Sequence, residues 1–211
     1  DLDGQVEAIG RTKLRLVARS PLGLHLTFVG LAGDAETALT SKLQSIRQAN
    51  REIIERAIAT AARISAVFED GIARGQISQS DLFDIEYVPI EGSNPQQYRT
   101  RYLDWVDRVL PPIQEALKDG DERMTFCATI DRNAYLPVHN LIYSKPQRPG
   151  DEAWNIANSR NRRIFDDRAG LAAARSTRPY LLQNYPRDMG NGVTIMMQEV
   201  AAPIRVHGKH W

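Results

Sequence analysis

Between Asp34 and Gly75 the apolar residues of this sequence fall on one repeating stripe. Leu39, Leu43, Ile46, Asn50, Ile53, Ala57, Thr60, Ile64 and Val67 are spaced alternately by four and three positions. That is the a/d repeat of a helix with a continuous apolar seam. Asp34 suits the helix start, and Gly75 followed by Ser78 suits its end. Two readings of the stripe stand side by side. Asn50 and Thr60 interrupt it as polar seam residues do in coiled coils, where they set register and partner number. Ile54, Ile58 and Phe68 widen it, as a single helix packed on its own domain requires. The two combine if the first half pairs with another helix and the second half packs on a sheet.

The rest of the chain must supply a core for that helix. Of 211 residues, 42% are apolar and 25% charged, enough for one compact domain and an appended element. The formal charge of +1 gives no field to gather nucleic acid or anionic lipid. Cys127 stands alone within Met124-Thr125-Phe126-Cys127-Ala128, reads as a small buried hydrophobe, and fits a reducing compartment. No run reaches the roughly 20 apolar residues that span a bilayer. Leu22 to Leu31 is too short and includes His25. The chain begins at Asp1 rather than Met, so it is expected to be a piece of a longer protein.

Ahead of the stripe, Ser20-Pro21 favours a helix start, whereas Leu22, Leu24, Leu26 and Phe28 alternate as in a strand. The expectation is a helix antiparallel to the long one, with the turn at Gly30 to Gly33. Downstream, Ser78 to Gly92 reads as a connector. Tyr98 to Leu117 reads as a helix broken or kinked at Pro111-Pro112. Beyond it lie strand-like runs: Met124 to Ile130, a turn at Asp131 to Ala134, and a return from Tyr135 to Val138. A helix from Trp154 to Phe165, a strand from Tyr180 to Tyr185, a turn at Asp188 to Gly192, and a strand from Val193 to Val206 follow. His207-Gly208-Lys209 turns again.

Enzymatic constellations are missing: there is no phosphate loop, nucleophile elbow or His-Glu-x-x-His pair, so no catalytic residue is assigned. His207 and His210 lie close in sequence but no third metal ligand is implied, so no metal site and no cofactor are expected. The run Trp154 to Arg168 holds Arg160, Arg162, Arg163 and Arg168, and guanidinium forks suit carboxylates and phosphates. On a helix, Asn155, Asn158 and Arg162 would share a face, with Ser159 and Arg163 beside them. The alternative is a solvated helix balanced by Asp166 and Asp167. His139 and Asn140, at a strand end, are further pocket candidates. Asp131 and Asn133 are explained by turn formation.

Several of these segments resemble Cache-type, PAS-like sensor domains found at the C-terminus of bacterial methyl-accepting chemotaxis proteins. They are Thr129 to Asn140, Ser159 to Arg168, Ala202 to Trp211, and Val67 to Ser78, where such a domain's long helix ends. The resemblance spans about Ala57 to Trp211. Two departures stand out. Ala134 occupies a position that is usually glycine, so its turn is expected to avoid positive φ. A final strand would follow Trp211, so the last strand is expected to be truncated here.

The resemblance implies an α+β fold, with long amphipathic or coiled-coil N-terminal helices leading into a Cache/PAS-like antiparallel sheet with flanking helices. The division is 1–56 for the helical arm and 57–211 for the sensor. The implied function is a ligand-sensing domain of a chemotaxis receptor, not an enzyme. Its partners would be a small-molecule ligand, carboxylate being the first candidate, a second copy in a homodimer, and chemotaxis signalling proteins through the full receptor. Nucleic acid and direct membrane contact are not expected. The ligand would be held by Trp154, Asn155, Asn158, Arg160, Arg162, Arg163, His139 and Asn140. The location is cytoplasmic, the alternative being an extracytoplasmic sensor. Two other functions stay open: a ligand-free dimerisation module, and a haem or metal sensor using His139, His207 and His210.

Overall fold

The computed structural model describes the backbone of residues 2–6, 10–20, 23–31 and 33–211, and side-chain surroundings for 13–18, 27–31 and 33–211. Strands β1 (Leu2–Val6), β2 (Gly10–Ser20) and β3 (Gly23–Val29) form an antiparallel meander, with a bulge in β2 between Leu16 and Ala18. The helix expected before Val29 is therefore a sheet. Period-two alternation in Leu24, Leu26 and Phe28 prevailed over the helix signal of Ser20-Pro21, and positions 21 and 22 lie outside the described residues.

Helix α1 (Gly33–Ala73) follows. The chain divides into two compact units, Asp1–Ile53 and Ile54–Trp211, and the boundary falls inside this helix. Its end is a Schellman-type cap. Gln76 N–H donates to the Gly71 carbonyl at 2.9 Å, Gly75 N–H donates to Ile72 at 3.0 Å, and Gly75 sits at φ 66°. In the second unit the most buried line of α1 runs through Ala61, Ile64, Phe68 and Gly71. The seam is thus rotated from Val67 toward Phe68, because that ring enters the aromatic core.

The second unit continues with α2 (Gln79–Leu82), capped by Ser78, then β4 (Val88–Pro89) paired antiparallel with β5 (Tyr98–Arg99). Helices α3 (Leu103–Val109) and α4 (Pro111–Asp119) split where Pro111-Pro112 stand. Next come β6 (Tyr135–Leu136), a short 3-10 turn at Leu141–Tyr143, and α5 (Glu152–Asn158). The unit ends with β7 (Arg163–Ile164), α6 (Arg168–Arg175), β8 (Leu181–Asp188), β9 (Thr194–Ala201), β10 (Arg205–Val206) and β11 (Lys209–His210). Each pair β6–β7, β8–β9 and β10–β11 is a separate two-stranded antiparallel sheet.

Three expectations are corrected here. Residues 124–130 form no strand and are held to the return segment only by a bridge between Thr129 and Val138; β6 pairs with β7 instead. The helix expected from Trp154 to Phe165 ends at Asn158, because Arg162 turns the backbone at φ 63° and feeds β7. The long strand expected from Val193 to Val206 breaks after Ala201 at Pro203, which cannot donate to a ladder.

Rings fasten α1 to the rest of the unit. Phe68 packs on Trp105 at 5.5 Å and on Trp211 at 5.0 Å between centroids; Tyr102 meets Trp211 at 5.6 Å and Tyr135 at 6.2 Å. Such pairs add about 0.5–1.5 kcal/mol each beyond their buried area. The approach is close enough that Gly71 is the residue which fits: a Cβ there would collide with the Trp105 indole. Trp211 Nε1 donates to the Leu82 carbonyl at 2.7 Å, satisfying a buried donor.

Candidate functional site

Beneath the Tyr102 and Tyr135 rings lies the turn at Asp131, and it is a structural hub. Its carboxylate is buried and accepts from Tyr87 Oη at 2.6 Å and Tyr102 Oη at 2.9 Å. It also accepts from the backbone N–H of Asn133 at 2.8 Å and of Tyr135 at 3.0 Å. Burial pushes the Asp131 pKa up, and the hydrogen bonds offset this in part. Burial and the adjacent carboxylate push both tyrosine hydroxyls well above their ordinary range. With every lone-pair direction engaged, Asp131 has no capacity left for a ligand. Ala134 adopts φ 63°, against the expectation that it would avoid positive φ. The Asp131 bonds on either side of it impose the turn.

Several polar groups with capacity to spare lie elsewhere. Arg187 on β8 is 2% exposed, and its Nε and both Nη atoms make no hydrogen bond. Its guanidinium lies over the rings of Phe126 at 4.9 Å and Tyr143 at 4.6 Å. His139 touches the same two rings, at 5.1 and 4.9 Å between centroids. The His139 Nδ1 accepts the Asn140 backbone N–H at 2.7 Å, which places the proton of the neutral ring on Nε2. Burial foremost, then the charges of Arg160 and Arg187, hold its pKa well below the usual histidine range. It stays neutral and adds no further charge.

Arg160 joins this group through the backbone and through its side chain. Its N–H donates to the Tyr143 carbonyl at 2.8 Å, and its Nη1 donates to the carbonyls of Ile156 at 3.0 Å and Asp188 at 3.3 Å. Burial, followed by the charges of Arg187 and Arg163, lowers its pKa to about 10, so it remains cationic at neutral pH. Arg160 and Arg163 lie over the same Phe165 ring, at 5.1 and 5.0 Å. The Arg163 Nη1 is buried without a hydrogen bond, as is the Oγ of Ser159. Burial lowers the Arg163 pKa, and Asp188 works against that shift.

A buried cation without an acceptor costs several kcal/mol. A lysine or histidine so placed can neutralise itself; a guanidinium cannot. Stacking on aromatic faces offsets part of the cost, while five donors of the Arg187 fork stay unused. A guanidinium fork of this kind has the donor geometry that pairs with a carboxylate or another oxyanion.

The sequence-derived candidates divide. His139, Arg160 and Arg163 come together here, with Ser159. The others are engaged elsewhere. Arg162 Nη2 pairs with Asp107 Oδ2 at 3.0 Å, and the Trp154 ring is covered by Arg148 at 3.9 Å. The Asn155 amide bonds the backbone of Arg148 and Asn94, and Asn158 Nδ2 donates to the Trp154 carbonyl at 2.9 Å. The Asn140 side chain accepts from Cys127 N–H at 2.7 Å and donates to Glu115 at 3.0 Å. The shared helical face of Asn155, Asn158 and Arg162 does not exist, because the helix stops between them.

Sequence reasoning missed Arg187, Phe126 and Tyr143. The signal for Arg187 was period-two alternation: Gln183, Tyr185 and Arg187 occupy the more buried positions of β8. Ending that strand at Tyr185 hid it. Among the described residues, no three His, Cys, Asp or Glu side chains gather as a metal ion would need. No helix there is long and apolar enough to cross a membrane.

Comparison with protein-family models, with curated proteins and with solved structures found no match for this chain.

Proposed function

We propose that the chain is a ligand-sensing module of a signal-transduction receptor, and that the second unit binds a small organic anion. The observation that carries this reading is the buried guanidinium of Arg187, whose donors have no partner in the protein. The sequence resemblance to Cache-type, PAS-like domains of chemotaxis transducers supports the receptor assignment and a non-enzymatic role. Output would run along α1, a single helix continuous from one unit into the other. Leu43 and Ile46, 44% and 45% exposed on its first half, favour pairing with a second copy. Relay then requires the anion to bind one arrangement of the helix better than another; equal affinity for both would transmit nothing.

The test is calorimetry of the whole chain against a panel of small organic acids, for wild type and Arg187→Met. Binding by wild type that is lost in the variant is the expected result. Heats that are null for every acid, or identical in both proteins, overturn the assignment. Sedimentation of the chain with and without the bound acid reads the pairing, which is expected to change with occupancy.

A further inference from the structure

We infer that the bound anion carries two separate carboxylate groups, one held by Arg187 and the other by Arg163, with Arg160 between them. This rests on the anion-binding reading above and narrows it to a class of ligand.

Charge is the first support. The Arg160 guanidinium lies within electrostatic reach of both Arg163 and Arg187, and His139, close to Arg160 and Arg187, is held neutral. Tyr185 and then Asp188 partly offset Arg160, and Asp188 partly offsets Arg163. The Asp188 Oδ1 already accepts the Gly190 N–H at 2.8 Å. Clustered guanidinium groups attract a doubly charged anion more strongly than a singly charged one.

The placement of the unused donors is the second support. Those of Arg187 and Arg163 lie on two different strands and against different rings: Arg187 of β8 over Phe126 and Tyr143, Arg163 of β7 over Phe165. Arg160 links them, since it shares Phe165 with Arg163 and bonds the backbone of Tyr143 and Asp188. A single tetrahedral ion such as phosphate would engage one end. Two carboxylates joined by a short carbon chain would engage both, with the carbon chain against aromatic carbon rather than polar groups.

The experiment titrates the whole chain with acetate, malonate, succinate, glutarate and inorganic phosphate by calorimetry and thermal shift. The wild type and the variants Arg163→Met, Arg187→Met and Arg187→Lys are compared. The tightest dicarboxylate is expected to bind roughly ten- to hundredfold more tightly than acetate, the worth of one added charge-assisted pair. Arg163→Met is expected to shrink that ratio to near one. Arg187→Lys, which loses the fork, is expected to weaken the dicarboxylate even if Arg187→Met fails to fold. Acetate binding as tightly as every dicarboxylate, or a ratio unchanged by Arg163→Met, overturns this inference and leaves the anion-sensor reading standing. Phosphate binding without dicarboxylate binding overturns this inference as well, and without acetate binding either it overturns the organic-anion reading too. No binding of any of the five overturns both.

Discussion

The backbone N–H of Arg160 donates to the carbonyl of Tyr143 at 2.8 Å. One guanidinium-bearing segment is thereby tied to the residue whose ring covers another guanidinium, that of Arg187. Two stretches far apart in sequence thus bring positive charge together in a buried place, although like charges repel. Burying them side by side costs free energy.

That cost is measurable. Replacing Arg187 by Met removes an unpaired buried cation and keeps an apolar chain between the rings, so in anion-free buffer the variant is expected to be more stable by about 1–4 kcal/mol. Urea denaturation midpoints read the difference. A clear loss of stability would mean that Arg187 is satisfied as it stands.

Asp131 has the opposite character, since four hydrogen bonds converge on it. Asp131→Ala leaves two tyrosine hydroxyls and two backbone N–H groups without their acceptor and is expected to cost about 3–5 kcal/mol. Tyr102→Phe, which removes one of those bonds, should cost about 1 kcal/mol. Equal effects for the two variants would contradict the hub.

Ala134 holds φ 63° without a glycine. Ala134→Gly relieves roughly 1–2 kcal/mol of left-handed strain, from which the greater freedom of glycine in the unfolded chain subtracts about 0.4–1 kcal/mol. A net gain of about 0.5–1 kcal/mol is expected from equilibrium unfolding. A net loss of that size would show that the methyl group's packing outweighs the strain.

Acid should weaken the fold through His139. Its folded pKa lies below the unfolded value of about 6.5. Between these two values the unfolded chain binds more protons, so the His139 contribution to stability falls as pH drops below that value. Asp131, Asp107 and Glu199, whose pKa values are raised chiefly by burial, act with the opposite sign: their contributions fall as pH rises above the usual carboxylate range. The comparison that isolates the histidine is wild type against His139→Gln, unfolded at pH 5 and pH 7. Wild type should lose more stability on acidification than the variant. Parallel losses would assign the acid sensitivity to other groups.

What could be read in the sequence was whatever depends on neighbours along the chain. The α1 stripe, its Gly75 cap, the break at Pro111-Pro112 and the turns at Asp131, Asp188 and His207 each follow from local rules of period, cap and turn chemistry. The N-terminal segment was misread because its side-chain period and its Ser20-Pro21 signal disagree, and strand pairing decides between them only once β2 is in register beside it. The helix expected through Arg162 failed for a related reason. Arg162 N–H donates to Leu136 and its carbonyl accepts from Tyr98, so pairing with distant segments takes over the bonds that a helix would have used.

The same division holds for the site. Its arginine-rich content and the presence of His139 follow from residue type, because few side chains other than arginine offer a fixed, permanently charged fork. Which arginines converge is settled by burial and distance between segments. Arg162 is drawn to Asp107, while Arg187 is carried inward by the alternation of β8 against the rings of Phe126 and Tyr143. Local order is written in spacing. Charge without a partner appears only when strands and turns remote in sequence close around it and exclude water.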